Sequence, residues 1–440
     1  MAKFRVGVLT GGGDTSALNA TIKGIARATE ELDGELIGFR RGWAGVLLPD
    51  KEYFVEEEME GKIERKKLED ATGEYVFLKA NNINSWQGGS IILSSRTDIT
   101  KIPGALEDVA KRLKQLNIDY FLPIGGDDTT TVTLKFAKEN ILGNIRIMAV
   151  PKTIDNDNGK IGPNGIFSRF EDMVNIWTPG FPTAVKNGTI YASFSYSTAY
   201  THERVLWDEA MGRKPGWLAL AMGYLGLADM TIIPEDKIQI EDICRRTLEI
   251  YQRKGFFYGV IAEGAIDAET GEFLSENKSI KDKFGHTKLG GAAKVIADKT
   301  KEYFKKKGVY APYFNGQVPE YLYRGGTPTA LDRKTAMDLG RHALESLAGN
   351  SAANGHMAVL LWDGKEEEKV VPSNMPLEKA VAISEKGKII PRRVPVDTKN
   401  PENGFYDPNT KNITDLGKQY VLMFADASVQ FEPWKGEIYK

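Results

Sequence analysis

The side chains best suited to chemistry lie in one stretch of the chain, residues 120–157. Asp127 and Asp128 follow a glycine pair, and Asp155 and Asp157 lie in a second polar loop further along. Carboxylates that are brought together repel one another unless a cation or a proton lies between them, and Mg²⁺ prefers such hard oxygen ligands. The four carboxylates therefore suggest that Mg²⁺ holds a phosphate-bearing substrate here and that the chemistry is phosphoryl transfer.

Two predicted strands position these carboxylates. The mostly apolar runs 118–124 and 145–150 have the length and composition of buried strands, and Thr129–Glu139 between them has helical spacing, with Val132 and Phe136 four residues apart. In an open parallel sheet, ligands bind at the carboxyl ends of the strands. We therefore expect all four carboxylates to converge on one crevice.

The amino-terminal segment predicts a second glycine turn. Residues 4–10 read as a buried strand, and GGGDTS at 11–16 leads into a helix with Leu18, Ile22 and Ile25 on one face. Backbone N–H groups at such a turn attract anions, but the motif matches neither the Walker A pattern nor the dinucleotide fingerprint. A tight strand-to-helix turn without any ligand accounts for the three glycines equally well.

The rest of the chain continues the α/β pattern. Residues 90–95 predict a strand that leads to Arg96. A surface location is the commoner one for an arginine, and the place at a strand's carboxyl end strengthens the phosphate-binding interpretation. The run of Glu and Lys at 51–70 predicts a solvated face or helix. Beyond a domain boundary near 178–181, the pattern predicts strands at 230–233, 256–262 and 357–362, helices at 240–253, 289–304 and near 331 and 377, and an irregular tail after Pro391. Another strand is expected at 36–39.

Composition narrows the class of protein. A chain of 440 residues is long enough for two or three domains, and 58 basic against 60 acidic residues leave none of the broad positive surface of a nucleic-acid binder. Cys244 is the only cysteine, which excludes internal disulfides, and the four histidines lack metal-ligand spacing. No run approaches the roughly 18 apolar residues of a membrane span. We expect a cytoplasmic protein without a membrane or nucleic-acid partner.

Seven motifs follow one another along the chain: GGGDTSALNA, GGDDT, PKTIDND, TPGF, AMGR, AEGA and YLYRGGTPTALDR. In this order they resemble the 6-phosphofructokinase family from about Arg5 to about Leu361, and PKTIDND and RGGTP are the most specific. The resemblance implies the phosphofructokinase fold, in which two Rossmann-like three-layer α/β domains enclose the active site in a cleft. It implies a phosphoryl-donor domain of residues 1–165 plus about 323–380, a sugar-phosphate domain of 166–322 plus parts of the C-terminal segment, and an irregular extension, 391–440.

The resemblance also implies a role for each matching residue in the transfer of a phosphoryl group to the 1-hydroxyl of fructose 6-phosphate. Asp155 resembles the general base, Asp157 its supporting carboxylate, and Asp127 the aspartate associated with Mg²⁺. The groups that hold the transferred phosphoryl would be Gly11, Arg96 and Thr153. The donor would be bound by Gly11, Gly12, Gly126, Asp128 and Lys152. The sugar phosphate would be bound by Arg204, Met211, Gly212, Arg213, Glu263, Tyr321 and Arg324.

Each of these residues also has an ordinary structural explanation. Taken alone, Met211 suits the core, Glu263 a helix cap and Arg213 a surface ion pair equally well. The sequence also departs from the family, because Pro319 and Glu320 replace a common Leu-Gly pair, no arginine lies near residue 315, and the segment 158–177 is longer than in short relatives. In the family a neighbouring subunit completes the sugar-phosphate site, so a homodimer or homotetramer is expected.

The donor is predicted from Asp128 and Lys152. Relatives that use ATP usually have glycine at the position of Asp128, and relatives that use pyrophosphate carry the same Asp and Lys pair. The sequence therefore most resembles the pyrophosphate-dependent members, which catalyse a reversible step of glycolysis. A salt bridge between Lys152 and Asp128 is the structural alternative. The functional alternatives are an ATP-dependent 6-phosphofructokinase, another small-molecule kinase, a non-catalytic sugar-phosphate sensor, which the presence of Asp127 and Asp155 disfavours, and sedoheptulose 7-phosphate as a further acceptor.

Overall fold

The computed structural model describes residues 4–59, 62–162, 167, 169–274, 290–363 and 370–425. The described chain forms two units, one of residues 4–181 and 324–392 and the other of residues 182–274, 290–323 and 393–425. The strands are β1 (Arg5–Thr10), β2 (Glu35–Phe39), β3 (Phe54–Met59), β4 (Lys62–Lys67), β5 (Tyr75–Leu78), β6 (Tyr120–Gly125), β7 (Arg146–Pro151), β8 (Lys160–Ile161), β9 (Met173–Val174), β10 (Val205–Ala210), β11 (Met230–Ile232), β12 (Phe257–Ala262), β13 (Phe314–Gln317), β14 (His356–Trp362), β15 (Val370–Pro376), β16 (Ala382–Ile383), β17 (Ile389–Ile390), β18 (Tyr406–Asp407) and β19 (Asn412–Ile413). The α-helices are α1 (Leu18–Glu31), α2 (Ala105–Gln115), α3 (Asp127–Lys138), α4 (Phe181–Thr201), α5 (Trp217–Leu225), α6 (Ile240–Lys254), α7 (Ala292–Lys306), α8 (Ala330–Gly349), α9 (Leu377–Ala380) and α10 (Asp415–Leu422).

The first unit is built on a seven-stranded sheet in the order β15-β14-β7-β6-β1-β2-β5. The five strands from β14 to β2 are parallel, and antiparallel β15 and β5 form the edges. Because β1, β6 and β7 are adjacent and parallel, their carboxyl ends meet at the same edge of the sheet. The two glycine turns and the loop that carries Asp155 start at this edge, as the sequence predicts.

Pro123 lies inside β6, which is a central strand. It pairs with Leu9 of β1. On the other side, residues 120, 121, 124 and 125 of β6 pair with β7, whereas residues 122 and 123 do not. A proline has no N–H to donate, so the gap in the ladder falls where the proline leaves a bond unmade. The strand therefore accommodates Pro123 with a gap in its ladder to β7.

The second unit is built on a four-stranded sheet in the order β11-β12-β10-β13, in which every pairing is parallel. Strands β10 and β12 are buried along their whole length, which is typical of a parallel sheet that is covered on both faces. A core of apolar side chains, including Trp207, Phe257 and Ile296, fills the space between this sheet and helices α6 and α7. Among the described residues, no helix has both the length and the apolar character that crossing a membrane requires.

Most predicted elements are confirmed within a few residues, and three predictions are wrong. Residues 90–95 form a loop with one bridge from Ser95 to Gly11, because the hydroxyls of Ser90 and Ser94 bond to Thr10 and Leu93 has a left-handed φ of 60°. Residues 54–59 and 62–67, part of a run predicted as a solvated face or helix, form the antiparallel strands β3 and β4, so the helix alternative is wrong there. The tail after Pro391 contains β18, β19 and α10, since the rings of Phe405 and Tyr420 pack on Trp217.

Candidate active site

The glycine turn after β1 lies against the first turn of α3. The N–H of Gly11 donates to Ile124 O at 2.9 Å, and the N–H of Gly12 donates to Ser95 O at 3.0 Å. A Cβ at Gly11 or at Gly125 would collide with the hydroxyl of Thr129, so both glycines permit the helix to approach the two strands. The family resemblance assigns Gly11 to the transferred phosphoryl group, but the backbone N–H of Gly11 is already bonded within the protein.

Three cationic side chains surround the same turn. The ammonium of Lys152 donates to Gly13 O, and it lies 3.6 Å from the position of a Cβ on Gly12, whose φ of 85° requires glycine. A Cβ on Gly13 would collide with the guanidinium of Arg324 and would lie 3.5 Å from Nη2 of Arg96. Lysine and arginine donors that meet at one glycine turn make a site for a phosphate-type anion.

The electrostatics of Lys152 agree with an anion site. Its side chain is 3% exposed, and burial, followed by repulsion from Arg324, lowers its pKa to about 7. The negative charges of Asp14 and Asp155 act in the opposite direction. Asp128 is not among the charges that act on Lys152. In the described part of the chain Lys152 and Asp128 form no salt bridge, so the structural alternative is wrong. A bound polyphosphate would favour the charged form of the lysine.

Two carboxylates start helix α3. Asp127 and Asp128 are its first two residues, where the helix dipole favours negative charge, and Asp127 Oδ1 accepts a hydrogen bond of 2.9 Å from Asp128 N. Surrounding protein atoms, then the charges of Asp127 and Asp98, raise the pKa of Asp128 to about 7. Asp128 also keeps more than a third of its surface open to solvent. The carbonyl of Gly126, just before the helix, accepts from the N–H and hydroxyl of Thr130.

The other two carboxylates lie in the Asp155 loop, residues 152–158, which follows β7. Asp155 N donates to Thr153 Oγ1 at 3.0 Å, and Thr153 O accepts from Thr178 Oγ1 at 2.8 Å, so Thr153 holds the start of the loop. Asp157 is buried, and burial, then the charges of Asp155 and Asp127, raise its pKa well above the ordinary value. The charge of Asp127, at the start of α3, therefore acts on Asp157 in the Asp155 loop, which agrees with the predicted convergence.

In the second unit, two predicted sugar-phosphate segments bond to one another at the carboxyl ends of β10 and β12. Gly212 has a φ of 140° and donates its N–H to Glu263 Oε1 at 3.2 Å. A Cβ on Gly264 would collide with the carbonyl of Arg213, so the two turns are in close contact. Met211, Arg213 and Glu263 are half-buried. Met211 is therefore not a core residue, and the carboxylate of Glu263 bonds to a loop N–H.

Three further predicted residues lie elsewhere. Arg204 precedes β10, at the opposite end of that six-residue strand from Met211; its guanidinium donates to Thr198 Oγ1 and lies 5.2 Å from the ring centre of Tyr313. Tyr321 is 77% exposed. Arg324 belongs to the first unit, and its guanidinium lies at Gly13. The length of β10, about 20 Å, separates Arg204 from Met211 within one chain.

A buried acidic group in the second unit was not predicted from the sequence. Asp208, on β10, accepts hydrogen bonds of 3.0 Å from the hydroxyl of Tyr258 and from Nε2 of Gln317. Burial raises its pKa to about 7, while these hydrogen bonds act in the opposite direction. The only local signal is an acidic pair, Asp208 and Glu209, within an otherwise apolar strand.

We expect Asp208 to make the stability of the protein depend on pH. Because its pKa is raised in the folded state, the folded protein keeps a proton that the unfolded chain loses above about pH 4. The free energy of unfolding should therefore fall as the pH rises from about 4 to about 7. Replacement by Asn removes this contribution, so Tm of Asp208→Asn should fall less between pH 5 and pH 8 (about one unit above the unfolded and the folded pKa, respectively) than that of the wild type. The exposed Asp415→Asn is the control, and equal slopes for Asp208→Asn and wild type would show that Asp208 is ionised throughout.

Comparison with known proteins gives the family. The family model described as phosphofructokinase matches residues 5–347. The pyrophosphate–fructose 6-phosphate 1-phosphotransferase of Amycolatopsis methanolica is 33% identical over 346 residues, which are 78% of this chain and 87% of that protein. The ATP-dependent 6-phosphofructokinase of Mycobacterium tuberculosis (strain ATCC 25618 / H37Rv) is 31% identical over 385 residues, 84% of this chain and 97% of that protein. The solved structure of a pyrophosphate-dependent phosphofructokinase from Marinobacter aquaeolei superposes with a TM-score of 0.70 at 18% identity and covers 99% of this chain and 94% of that chain.

Proposed function

Because the chain belongs to the phosphofructokinase family and has its two-domain α/β fold, we propose that it transfers a phosphoryl group from pyrophosphate to the 1-hydroxyl of fructose 6-phosphate. The products are fructose 1,6-bisphosphate and phosphate, and the reaction is reversible. The observation that carries the proposal is the buried ammonium of Lys152 at the Gly12–Gly13 turn, with Arg96 and Arg324 beside it. This cluster suits a compact and highly charged donor, because several cations face one small volume.

We assign the proton transfer to Asp155. In the reaction the oxygen of the sugar 1-hydroxyl forms a bond to the terminal phosphorus of pyrophosphate, the bridging P–O bond breaks, and orthophosphate leaves. The hydroxyl proton passes to the Asp155 carboxylate. Asp157 is the second acidic group of the same loop, and burial, then the charge of Asp155, raises its pKa. A protein that catalyses such a transfer needs mainly positioning and charge stabilisation, so no covalent nucleophile is required.

The carboxylates at the start of α3 fit Mg²⁺. No cage of three or more His, Cys, Asp or Glu side chains occurs in the part of the chain that the structure describes. Mg²⁺ usually binds one or two carboxylates and the substrate phosphates, so Asp127, with Asp128 beside it, is a sufficient donor set. Burial, then repulsion from Asp127, raises the pKa of Asp128, and a bound cation would relieve this repulsion. Bound Mg²⁺ would neutralise part of the charge on the pyrophosphate oxygens.

Asp128 is the residue that favours pyrophosphate over ATP. Its carboxylate occupies the second position of α3, where relatives that use ATP usually have glycine. A carboxylate at this place fills space and repels the α-phosphate of a nucleotide, and both effects disfavour the binding of ATP. ATP remains the second candidate donor, because relatives described as ATP-dependent match the chain nearly as well.

Side-by-side assays of the purified protein test the proposal. Formation of fructose 1,6-bisphosphate is followed with Mg-pyrophosphate and with Mg-ATP at equal concentrations of fructose 6-phosphate. We expect turnover with pyrophosphate and none with ATP. Robust turnover with ATP and none with pyrophosphate would refute the donor assignment, and no turnover with either donor would refute the reaction.

The sugar phosphate is assigned to the second unit. Glu263 suits the sugar hydroxyls and Arg213 suits the 6-phosphate, and both lie at bonded turns at the carboxyl ends of adjacent strands. Arg204 lies at the other end of β10, so a role at the same site requires the arginine of a neighbouring subunit. This requirement supports the predicted homodimer or homotetramer.

The Arg324→Ala variant separates two roles for this arginine. The sequence predicts that Arg324 contacts the 6-phosphate. In that role its loss would raise KM for fructose 6-phosphate strongly and change kcat little. The position of Arg324 at Gly13, with Lys152 and Arg96, favours a contact to the transferred phosphoryl group. We therefore expect kcat to fall roughly 10²-fold, as when one donor to a transition-state oxyanion is removed. Steady-state kinetics distinguish the two roles. The control is Arg341→Ala, which removes a surface arginine paired with Glu31. A change confined to KM would show that Arg324 contacts the 6-phosphate.

A further inference from the structure

Arg392 is a buried arginine that lies outside every motif of the family resemblance. It is 4% exposed and follows β17, in the segment that the sequence analysis predicted to be irregular. The preceding residues fix this segment on the first unit, because Ile389 is part of an apolar cluster with Leu134 of α3 and its N–H donates to Thr131 Oγ1 at 3.2 Å. The contacts of Ile389 therefore hold Arg392 on the first unit.

The guanidinium of Arg392 donates all five of its N–H groups to oxygens of two loops. Nε and Nη2 donate to Asn156 O at 3.2 and 2.7 Å, and Nη2 also donates to Asn156 Oδ1 at 2.8 Å. Nη1 donates to Val174 O at 2.9 Å and to Asn175 O. The backbone N–H of Arg392 adds a bond of 2.7 Å to Asp157 O. A guanidinium has five N–H groups, so this contact uses its whole donor capacity.

Three of the five guanidinium bonds go to Asn156, the residue between the two aspartates of the Asp155 loop. Asn156 is fully buried and has a left-handed φ of 55°, a conformation that a non-glycine residue keeps only when its surroundings hold it. Its carbonyl is outside any β-ladder and would cost free energy if buried without a donor. Its side-chain oxygen also accepts from Thr178 N at 3.1 Å, which ties the loop to residues 174–178.

We propose that Arg392 is the positioning residue of the Asp155 loop: by holding the carbonyls of Asn156 and Asp157, it fixes the orientation in which the Asp155 carboxylate meets the substrate hydroxyl. The inference rests on the proposed role of Asp155 as the base. The guanidinium also places a positive charge beside a loop that carries two buried or half-buried carboxylates. A base must lie within hydrogen-bond reach of its proton, and a displacement of about 1 Å is enough to reduce turnover by about 10²-fold.

Three variants test the proposal: Arg392→Ala, Arg392→Lys and, as the matched control, Arg393→Ala at the exposed neighbouring position. For Arg392→Ala we expect kcat to fall about 10²-fold while KM for fructose 6-phosphate changes less than about threefold, since the loop acts in the transition state. Low concentrations of guanidinium chloride, far below those that unfold proteins, should restore at least about a tenth of the lost turnover by filling the vacated donor site, and sodium chloride should not. Arg393→Ala should retain normal turnover.

The outcome does not depend on the identity of the donor, because every variant is compared with the wild type in the donor that the wild type uses. If Arg392→Ala does not fold, Arg392→Lys decides, since it keeps the charge and loses the planar fork; we expect its kcat to fall about tenfold. The proposal is overturned if either folded variant keeps kcat within twofold of the wild type at a temperature well below its Tm, or if guanidinium restores nothing to Arg392→Ala. A wild type without turnover would refute the proposed function instead.

Discussion

Replacing Asp155 by Ser is expected to lower kcat roughly 10²–10⁴-fold with little change in the affinity for fructose 6-phosphate. A general base acts on the proton only as the sugar hydroxyl attacks, so its loss is felt in the transition state and not in binding. The Asp155 loop should survive the truncation, because Asp155 is held through its backbone N–H by Thr153 and its neighbour Asn156 by Arg392. Steady-state kinetics in the donor that the wild type uses give both parameters.

The control for this variant is Asp338→Ser, which removes an exposed aspartate of α8 that pairs with Lys334. Exposed pairs of this kind contribute little, so its kinetics should match those of the wild type. Near-normal turnover in Asp155→Ser, or a loss of sugar-phosphate affinity in place of turnover, would show that another group takes the proton.

The double variant Asp128→Gly, Lys152→Gly is expected to lose the use of pyrophosphate by a factor of roughly 10²–10³ and to gain some use of ATP. Removing Lys152 takes away the buried ammonium at the Gly12–Gly13 turn, and removing Asp128 clears space and negative charge from the start of α3. The first change removes stabilisation of the transferred phosphate, and the second removes repulsion of the nucleotide.

The two single variants show which residue decides. Asp128→Gly should admit ATP while pyrophosphate is still used, because Lys152 remains, and Lys152→Gly should lose pyrophosphate without gaining ATP. The KM for fructose 6-phosphate serves as the internal control and should change little in all three variants. A double variant that still prefers pyrophosphate would place donor selection in other residues.

The edge of the sheet at which the carboxylates converge could be predicted from the sequence because its signals are local. Apolar runs of strand length end in glycines or polar loops, and parallel strands bring such ends together. Asp155 and Asp127 lie near enough to the buried Asp157 for their charges to act on it, as these signals predict. The turns of the second unit around Gly212 and Gly264 could be predicted for the same reason.

The contacts that the sequence did not reveal are between residues far apart in the chain. Arg392 bonds to Asn156 across 236 positions, and nothing in the local pattern around Arg392 indicates burial. The loop at 90–95 takes its conformation from hydroxyl bonds to Thr10, more than 80 positions away, which override the β-propensity of its apolar residues. Arg324 reaches the Gly13 turn in the same way.

A competition experiment tests the central claim, that this site takes pyrophosphate, most directly. Pyrophosphate and ATP, each as the Mg²⁺ complex and at equal concentration, are supplied in one tube with limiting fructose 6-phosphate, and ³¹P NMR follows both donors. From this claim we expect that the pyrophosphate signal is lost and replaced by the signals of orthophosphate and the new sugar phosphate, while the γ-phosphate signal of ATP stays unchanged. Loss of the ATP γ-phosphate signal with appearance of ADP, and an unchanged pyrophosphate signal, would contradict it.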